Sequence, residues 1–465
     1  MARSSIRAHG PTESLRAKAR LGIALALAPA IAGCVSYEPA PVDVSQVLGQ
    51  LRARTWELPL DADRGASEGA APDQLAAFAI THNPSLQAVR AQIGVAEALL
   101  VEAGLLSDPE FGWDAMNALA SQLIGDSPSS HDYLSGLGLS ITLPRPGELD
   151  AKKGAARWQV EEARIKVVYG EWLLARDVFI AYEEVREALV LLEQNRDLIE
   201  VAQSTRDYFD RAQAAGAATA IQANLASGDL LAIQADRVRL QARLRDARHR
   251  LNALLGLPPS TEIPLASPED RETSEKPEID PEELVERSLS LRPDLAALQA
   301  SYEAAEEDVR LEVARQFPLV SIGTGIWFQP GFFTRFNRPA IDTAIARRET
   351  LRSEIEAQVH EVRRDIQDAY ASLGETRREL AFLESELLPN AEESLRLAGE
   401  AFDAGEVTFV EILTLQRALV DARTRTTVAR AELQRRRWRL LAAEGTLLTR
   451  NDDQAHRDDE QETER

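Results

Sequence analysis

The order of apolar and polar positions divides the chain into long helical stretches and short stretches in which the two kinds of residue alternate. Residues 151–256 and 341–445 are both rich in Ala, Leu, Glu, Arg and Gln, the strong helix formers. Each stretch predicts a long helix, a reversal marked by glycine and a shorter helix that runs back. The first return helix ends at Gly256, which is followed by Leu257 and two prolines, a strong helix stop.

The spacing of glycines and prolines indicates a tandem duplication. The shift from Gly216 to Gly405 is 189 residues, and the shift from Gly256 to Gly445 is also 189. Before the strands, the shift between equivalent prolines is 209, so the second copy has lost about 19 residues within its strand pair. The predicted fold is mainly α with a small transmembrane β part, built from a duplicated unit of helix, two strands and a long helical hairpin.

Alternation of apolar and small polar residues predicts the strands. Tyr133–Leu143 alternates over 11 residues, and a membrane-crossing strand needs about 9–11. In the second copy we predict one strand over Pro318–Phe328 and a turn at Gln329–Gly331. Only Phe332–Asn337 then remains for the last strand, which reaches ~20 Å when fully extended and falls short of a tilted crossing.

Helix lengths predict how the elements stack. At ~1.5 Å per residue, the first long helix measures ~98 Å, and its return helix and the helix before the strands together measure ~101 Å. Two shorter helices can therefore stack end to end beside one long helix. This predicts a tall helical cylinder with strands at one end and glycine reversals at the other.

The N-terminus has the pattern of an export signal. Basic residues extend to Arg20, Leu21–Ile31 is apolar, and Cys34, the only cysteine, follows. The apolar run is shorter than the ~20 residues of a transmembrane helix, and a lone cysteine forms no internal disulfide. The predicted domains are a lipoprotein signal peptide (1–33), an N-terminal strap (34–73), repeat 1 (74–256, hairpin 108–143), a linker (257–281), repeat 2 (282–450, short hairpin 318–337) and a disordered acidic tail (451–465).

Composition and charge exclude several functions. Charged residues make up 28% of the chain and aromatic residues 5%, which is typical of coiled coils, and the net charge of −22 disfavours nucleic-acid binding. The six histidines include no pair at metal spacing, and there is no nucleophile elbow, phosphate loop or paired carboxylate site. We therefore expect no enzyme activity, no cofactor and no metal site.

Three stretches carry a resemblance to a known family: Asn83–Leu86, Arg292–Leu295 and Ala401–Gln416. With the duplicated spacing, they resemble the TolC family of outer-membrane efflux proteins, and the often lipidated heavy-metal and multidrug branch looks closest. The resemblance implies a homotrimer that forms an α-helical barrel with a β-barrel, reached by a periplasmic adaptor protein and an inner-membrane pump. It implies a passive channel extending from the outer membrane into the periplasm.

The resemblance also implies roles for individual residues. Ile31–Cys34 resembles a lipobox, and Val35 after the cysteine favours outer-membrane sorting. The remaining positions are a periplasmic gate at Glu411, Thr414, Gln222 and Phe402, and adaptor-contact turns at Gly216 and Gly405.

Two alternatives stay open at this stage. Glu411 can be a solvated acid near a helix N-terminus, where acids are favoured in any protein. The whole chain can be a lipid-anchored periplasmic coiled-coil scaffold without a pore, which the short second hairpin favours and the Tyr133–Leu143 strand opposes.

Overall fold

The computed structural model describes residues 37–56, 69–113, 137–266, 280–323, 326–332 and 334–448. The chain divides into two units, Met1–Ala53 and Arg54–Arg465. Among its described residues the first unit holds the helix α1 (Val44–Arg52), which begins where the Asp43 carboxylate accepts hydrogen bonds from two backbone N–H groups. The predicted signal peptide (1–33), Cys34 and the predicted acidic tail (451–465) lie outside the described residues.

The second unit consists mainly of helices, as the sequence predicts. In chain order the helices are α2 (Pro72–His82), α3 (Pro84–Ala103), α4 (Glu148–Ala214), α5 (Ala220–Leu255), α6 (Pro281–Leu291), α7 (Pro293–Ala314), α8 (Arg338–Phe382), α9 (Leu388–Asp403) and α10 (Phe409–Glu444). The described strands are β1 (Glu110–Trp113), β2 (Leu137–Leu143), β3 (Leu319–Ile322) and β4 (Ile326–Gln329). No helix among the described residues is both long enough and apolar enough to cross a membrane.

The long helix α4 is the element against which most of the others pack. It has 67 residues and begins after Gly147, which adopts a left-handed conformation at φ +79°. The helices α3, α5, α7 and α10 all pack against α4. Its buried face carries Ala175 and Val178, both fully inaccessible to solvent, and these belong to a core that also contains Leu75 and Leu255.

Helix ends meet beside the long helices. The return helix α5 is capped by Gly256, and the Asn83 side-chain amide donates a 2.8 Å hydrogen bond to the Leu254 carbonyl. The Arg54 guanidinium donates to the carbonyls of His82 and Gly256, at 3.0 and 3.3 Å. At the end of α10, a Cβ on Gly445 would lie 3.0 Å from the backbone of Leu291. At the first junction, side-chain hydrogen bonds satisfy carbonyls at the helix ends, and at the second the close approach of Leu291 leaves no room for a side chain at Gly445.

The strands form one antiparallel sheet in the order β1-β2-β3-β4. The prediction of a single strand over Pro318–Phe328 is wrong, because β3 and β4 pair with each other, with Val320 opposite Phe328. In the sequence, two glycines, Gly323 and Gly325, stand between Ile322 of β3 and Ile326 of β4, and glycine favours a turn over a continuous strand. The hairpin therefore reverses six residues earlier than the turn that Pro330 predicted.

The predicted strand Phe332–Asn337 is also wrong. Arg335–Asn337 forms a short 3₁₀ turn, and all three residues have φ between 51° and 63°. The Phe336 N–H donates to the Gly331 carbonyl at 2.9 Å, and the Asn337 side-chain amide donates to the Glu312 carbonyl at 2.8 Å. These local hydrogen bonds hold the chain in a compact turn that leads into α8.

The second long leg is interrupted, which the sequence pattern did not predict. Between α8 and α9, Leu383–Leu387 forms a π-helical turn, and Pro389 lies in the first turn of α9. Proline has no N–H for the helical ladder and its ring crowds the preceding turn, so a wider turn precedes it.

Candidate gate at the glycine reversals

The two glycine reversals have the same backbone geometry. Gly216 and Gly405 each adopt φ +76°, in the left-handed region that favours glycine. A Cβ at either position would meet no other atom within 4 Å, so space does not require glycine there. The backbone conformation alone accounts for both glycines, and both turns leave room for a partner.

Each return helix begins with a capping box. The Thr408 backbone N–H donates to the Glu411 carboxylate at 2.7 Å, and the Thr408 hydroxyl donates to it at 2.8 Å. In the first hairpin, the Thr219 N–H donates to the Gln222 side-chain oxygen at 2.8 Å. The Thr408 backbone and hydroxyl hydrogen bonds lower the pKa of Glu411 below its usual value. Glu411 and Gln222 are therefore helix-capping residues, whatever further role they have.

The other two predicted gate residues have different surroundings. Thr414 is exposed, and its hydroxyl donates to the Val410 carbonyl at 2.8 Å within α10. Phe402 is half-buried against an apolar cluster near the reversals. In that cluster the rings of Phe209, from α4, and Phe409, from α10, lie 4.0 Å apart between centroids. The two helical hairpins therefore meet through aromatic side chains close to their turns.

An ion pair that the sequence did not reveal joins the two return helices. The Arg417 guanidinium donates from Nε and Nη2 to one Asp229 carboxylate oxygen, at 3.1 and 2.8 Å. The Asp229 side chain is 10% exposed, and the Arg417 side chain is 67% exposed. Asp229 is the first charged residue of α5, and the 189-residue shift aligns Arg417 with its neighbour Gly228. That alignment is the only signal in the sequence that points to the pair.

A second charged cluster lies farther along the helices. The Glu187 carboxylate in α4 is fully buried and accepts hydrogen bonds from Arg243 in α5 and Arg435 in α10, each at 2.6 Å. Hydrogen bonds and charge interactions with Glu187 and Glu432 raise the pKa of Arg435 despite its burial. This cluster joins three helices through one carboxylate. Within the described ranges, no group of three or more metal-ligating side chains lies close enough to hold a metal ion.

Comparison with known proteins shows which family part of the chain resembles. Residues 75–257 match the family model of the outer membrane efflux proteins. The resemblance indicated by the sequence is therefore confirmed over these residues, which are less than half of the chain.

Individual relatives agree with this assignment. Outer membrane protein OprJ of Pseudomonas aeruginosa is 27% identical over 263 residues, which are 49% of this chain and 53% of OprJ. Cobalt-zinc-cadmium resistance protein CzcC of Cupriavidus metallidurans is 28% identical over 203 residues, 40% of this chain and 46% of CzcC. The chain thus spans about half the length of the curated relatives it matches.

The fold extends further than the sequence similarity does. The solved structure of the outer-membrane channel OprN superimposes with a TM-score of 0.67 at 19% identity, over 85% of this chain and 99% of OprN. The mainly helical fold of the outer-membrane channels is thereby established for this chain.

Proposed function

We propose that the chain is the outer-membrane channel component of a tripartite efflux system. In this role it gives solutes a passive exit duct from a periplasmic adaptor protein and an inner-membrane pump, and catalyses no reaction. The observation that carries the proposal is the likeness to the OprN channel over 85% of the chain, together with the family match at residues 75–257. The relatives' names, outer membrane protein and metal resistance protein, favour the same role.

The proposed assembly is a homotrimer of duplicated units, located in the outer membrane and extending into the periplasm. Three copies of the helical hairpins would enclose the duct, and the strands would lie at its membrane end. Lipidation of Cys34 would add an anchor in outer-membrane lipid. Because the duct would be enclosed by three copies together, it depends on assembly.

The proposed gate lies at the capping boxes. Three Glu411 carboxylates related by threefold symmetry would repel anions and attract cations at a constriction, with Gln222, Thr414 and Phe402 beside them. The Glu411 carboxylate is charged at neutral pH like any ordinary glutamate, and its lowered pKa extends the charged state to more acidic conditions. We expect Glu411→Ala to make the channel less cation-selective. An unchanged reversal potential in a salt gradient would restrict Glu411 to helix capping.

The proposed contacts to the adaptor are the reversals at Gly216 and Gly405. Both turns are open to solvent on the side where a Cβ would lie, so a partner's backbone can approach closely.

A scaffold without a pore is the second candidate. It is favoured by the strands β3 and β4, each of only four residues, which are too short to cross a membrane. Such a scaffold would keep the helical hairpins and the lipid anchor but would not conduct.

Fractionation and mass determination test the proposed location and assembly. We expect the protein in the outer-membrane fraction and a trimer mass after extraction in detergent. A matched Cys34→Ser variant should lose the lipid label but keep the trimer. A monomer in detergent, or a protein released in the soluble periplasmic fraction, would contradict the proposed assembly.

A further inference from the structure

Two large apolar side chains are exposed on helices that already bury another face. Val238 on α5 is 66% exposed, and Phe382, the last residue of α8, is 59% exposed. On the same helices Leu244 and Leu380 are buried in apolar clusters, about 120° and 160° around the axis from these two residues. Exposure by itself identifies no partner, but the duplicated architecture of the chain supplies one.

The two long legs can be aligned by their sequences. Arg176–Tyr182 in α4 and Arg364–Tyr370 in α8 have Arg, Asp, Ala and Tyr at the same places, at a shift of 188 residues. Both helices are uninterrupted around these segments, so the same shift holds along α8 as far as Phe382. The glycine reversal that follows is shifted by 189, so one residue has been inserted before it, in the stretch that contains the π-helical turn Leu383–Leu387. A π turn holds one residue more than an α turn and therefore absorbs this insertion.

The packing of α10 against α4 within the chain supplies a template for a second contact. Here the Gln194 side-chain amide donates a 2.9 Å hydrogen bond to the Thr427 hydroxyl. The shift of 188 makes Phe382 the equivalent of Gln194, and the shift of 189 at both ends of α5 makes Val238 the equivalent of Thr427. The two exposed apolar residues thus occupy the positions of an observed contact. If α8 of a second copy lies against α5 as α4 lies against α10, Phe382 and Val238 meet.

The first half of α8 gives a second match of the same kind. Within the chain, α7 packs so closely on α4 that a Cβ on Gly154 would lie 2.8 Å from the Glu307 side chain. The shifts of 209 and 188 transfer this contact to Ala98 of α3 and to the start of α8. One turn further along these antiparallel helices, Val95 lies opposite Ile345, and the two are 62% and 37% exposed. The same helix of a second copy therefore covers exposed apolar residues on both α3 and α5.

The same equivalence brings two acids together at a third place. Within the chain, the Glu187 carboxylate accepts a 2.6 Å hydrogen bond from Arg435. The equivalent residues are Glu375 of α8 and Asp246 of α5, which are both exposed. Arg378 is exposed one turn away from Glu375, so a cation is available to Asp246 at this place. The two apolar pairs therefore favour the packing, and the arginine offsets the repulsion between the acids.

We propose that α8 of one copy packs against α3 and α5 of the next copy, in the register in which α4 packs against α7 and α10 within the chain. Phe382 then contacts Val238, and Ile345 contacts Val95. This seam joins two different surfaces, so it repeats head to tail and closes into a ring. The number of copies in the ring, three, rests on the proposed function, whereas the seam rests on the duplication.

Disulfide cross-linking of the full chain in detergent tests the seam. The starting protein carries Cys34→Ser, which removes the only cysteine. After mild oxidation, Val238→Cys with Phe382→Cys should give covalent products of two and three chains on a denaturing gel without reductant. The matched control is Gln194→Cys with Thr427→Cys, at the equivalent positions, which should form its disulfide within one chain and keep the monomer mass. A disulfide forms only where two Cβ atoms come within about 4.5 Å, so each product reports direct contact.

Truncation of the aromatic ring tests how much this contact contributes. Phe382→Ala should raise the dissociation constant of the oligomer about tenfold for each seam, because the ring no longer buries apolar surface against Val238. Phe382→Leu keeps a large apolar side chain and should change the dissociation constant much less. Sedimentation of the purified protein over a range of concentrations in detergent measures both.

The outcomes separate the seam from the proposed function. If the oligomer sediments normally but the Val238 and Phe382 cysteines give no product, or a product of monomer mass only, the proposed seam is wrong. A conducting channel with that result would refute the seam alone. A ring that cross-links as expected but never conducts would refute the proposed function alone, and a chain that stays monomeric would overturn both.

Discussion

Breaking the ion pair between Asp229 and Arg417 should loosen the contact between the two helical hairpins near their turns. Arg417→Ala leaves the nearly buried Asp229 carboxylate without its two hydrogen bonds. A charged hydrogen bond contributes roughly 1.5–3 kcal/mol, and the high exposure of Arg417 places this pair at the lower limit, about 1.5 kcal/mol. That corresponds to a change of roughly tenfold in the equilibrium between joined and separated hairpins.

Assembly into a trimer would multiply this loss of stabilising free energy. If three copies open together, about 4.5 kcal/mol is lost, and the closed state is weakened by roughly 10³-fold. The assay is conductance of purified protein in planar bilayers, with resting open probability as the readout. We expect Arg417→Ala to raise the open probability strongly, and Asp229→Asn to do so in the same direction.

Arg425→Ala is the matched control for this prediction. Arg425 is similarly exposed on the same helix, but it pairs with Asp421 one turn away and joins no second helix. It should leave the open probability unchanged. If Arg417→Ala and Arg425→Ala behave alike, the Asp229–Arg417 contact does not hold the hairpins closed and the reasoning fails.

Three further predictions concern stability. Glu187→Gln should lower the free energy of unfolding by about 2–4 kcal/mol, because two arginines lose a buried charged partner. Thermal circular dichroism measures this, and an unchanged free energy of unfolding would show that the cluster is solvated. The lowered pKa of Glu411 means that its cap stabilises α10 fully at pH values above the usual glutamate pKa and is lost as pH falls through the lower pKa of the folded state. The protection of amides in the first turn of α10, measured by hydrogen exchange relative to the intrinsic rate at each pH, should therefore fall in acid, while the protection of the turn capped by Gln222 should not change. Gly405→Ala should destabilise the protein by about 1 kcal/mol, because Gly405 has a positive φ. Gly399→Ala, inside α9, should stabilise the protein slightly. Equal effects of the two substitutions on stability would contradict the argument from backbone conformation.

The long-range helical pattern could be predicted because helix signals are local. The absence of proline over residues 151–213, the glycine reversals and the stop at Gly256 fix where helices begin and end. The Thr408–Glu411 capping box is equally local, since its partners lie three residues apart.

Other features depend on competition between turn signals or on contacts between residues far apart in the sequence. Two turn signals compete in the second hairpin, the glycines at 323 and 325 and the Pro330-Gly331 pair, and pairing with β2 favours the first. The π-helical turn before Pro389 gives no periodic signal. The Asp229–Arg417 pair joins residues 188 positions apart, and no local rule selects that partner.

The measurement that tests the proposed function most directly is single-channel conductance of the purified trimer in planar bilayers. The account predicts steady unitary steps with cation preference, from a channel that is mostly closed at rest and is opened by Arg417→Ala. A protein that has the mass of a trimer in detergent, inserts into the bilayer and never conducts, even with Arg417→Ala, would contradict the duct and favour the scaffold.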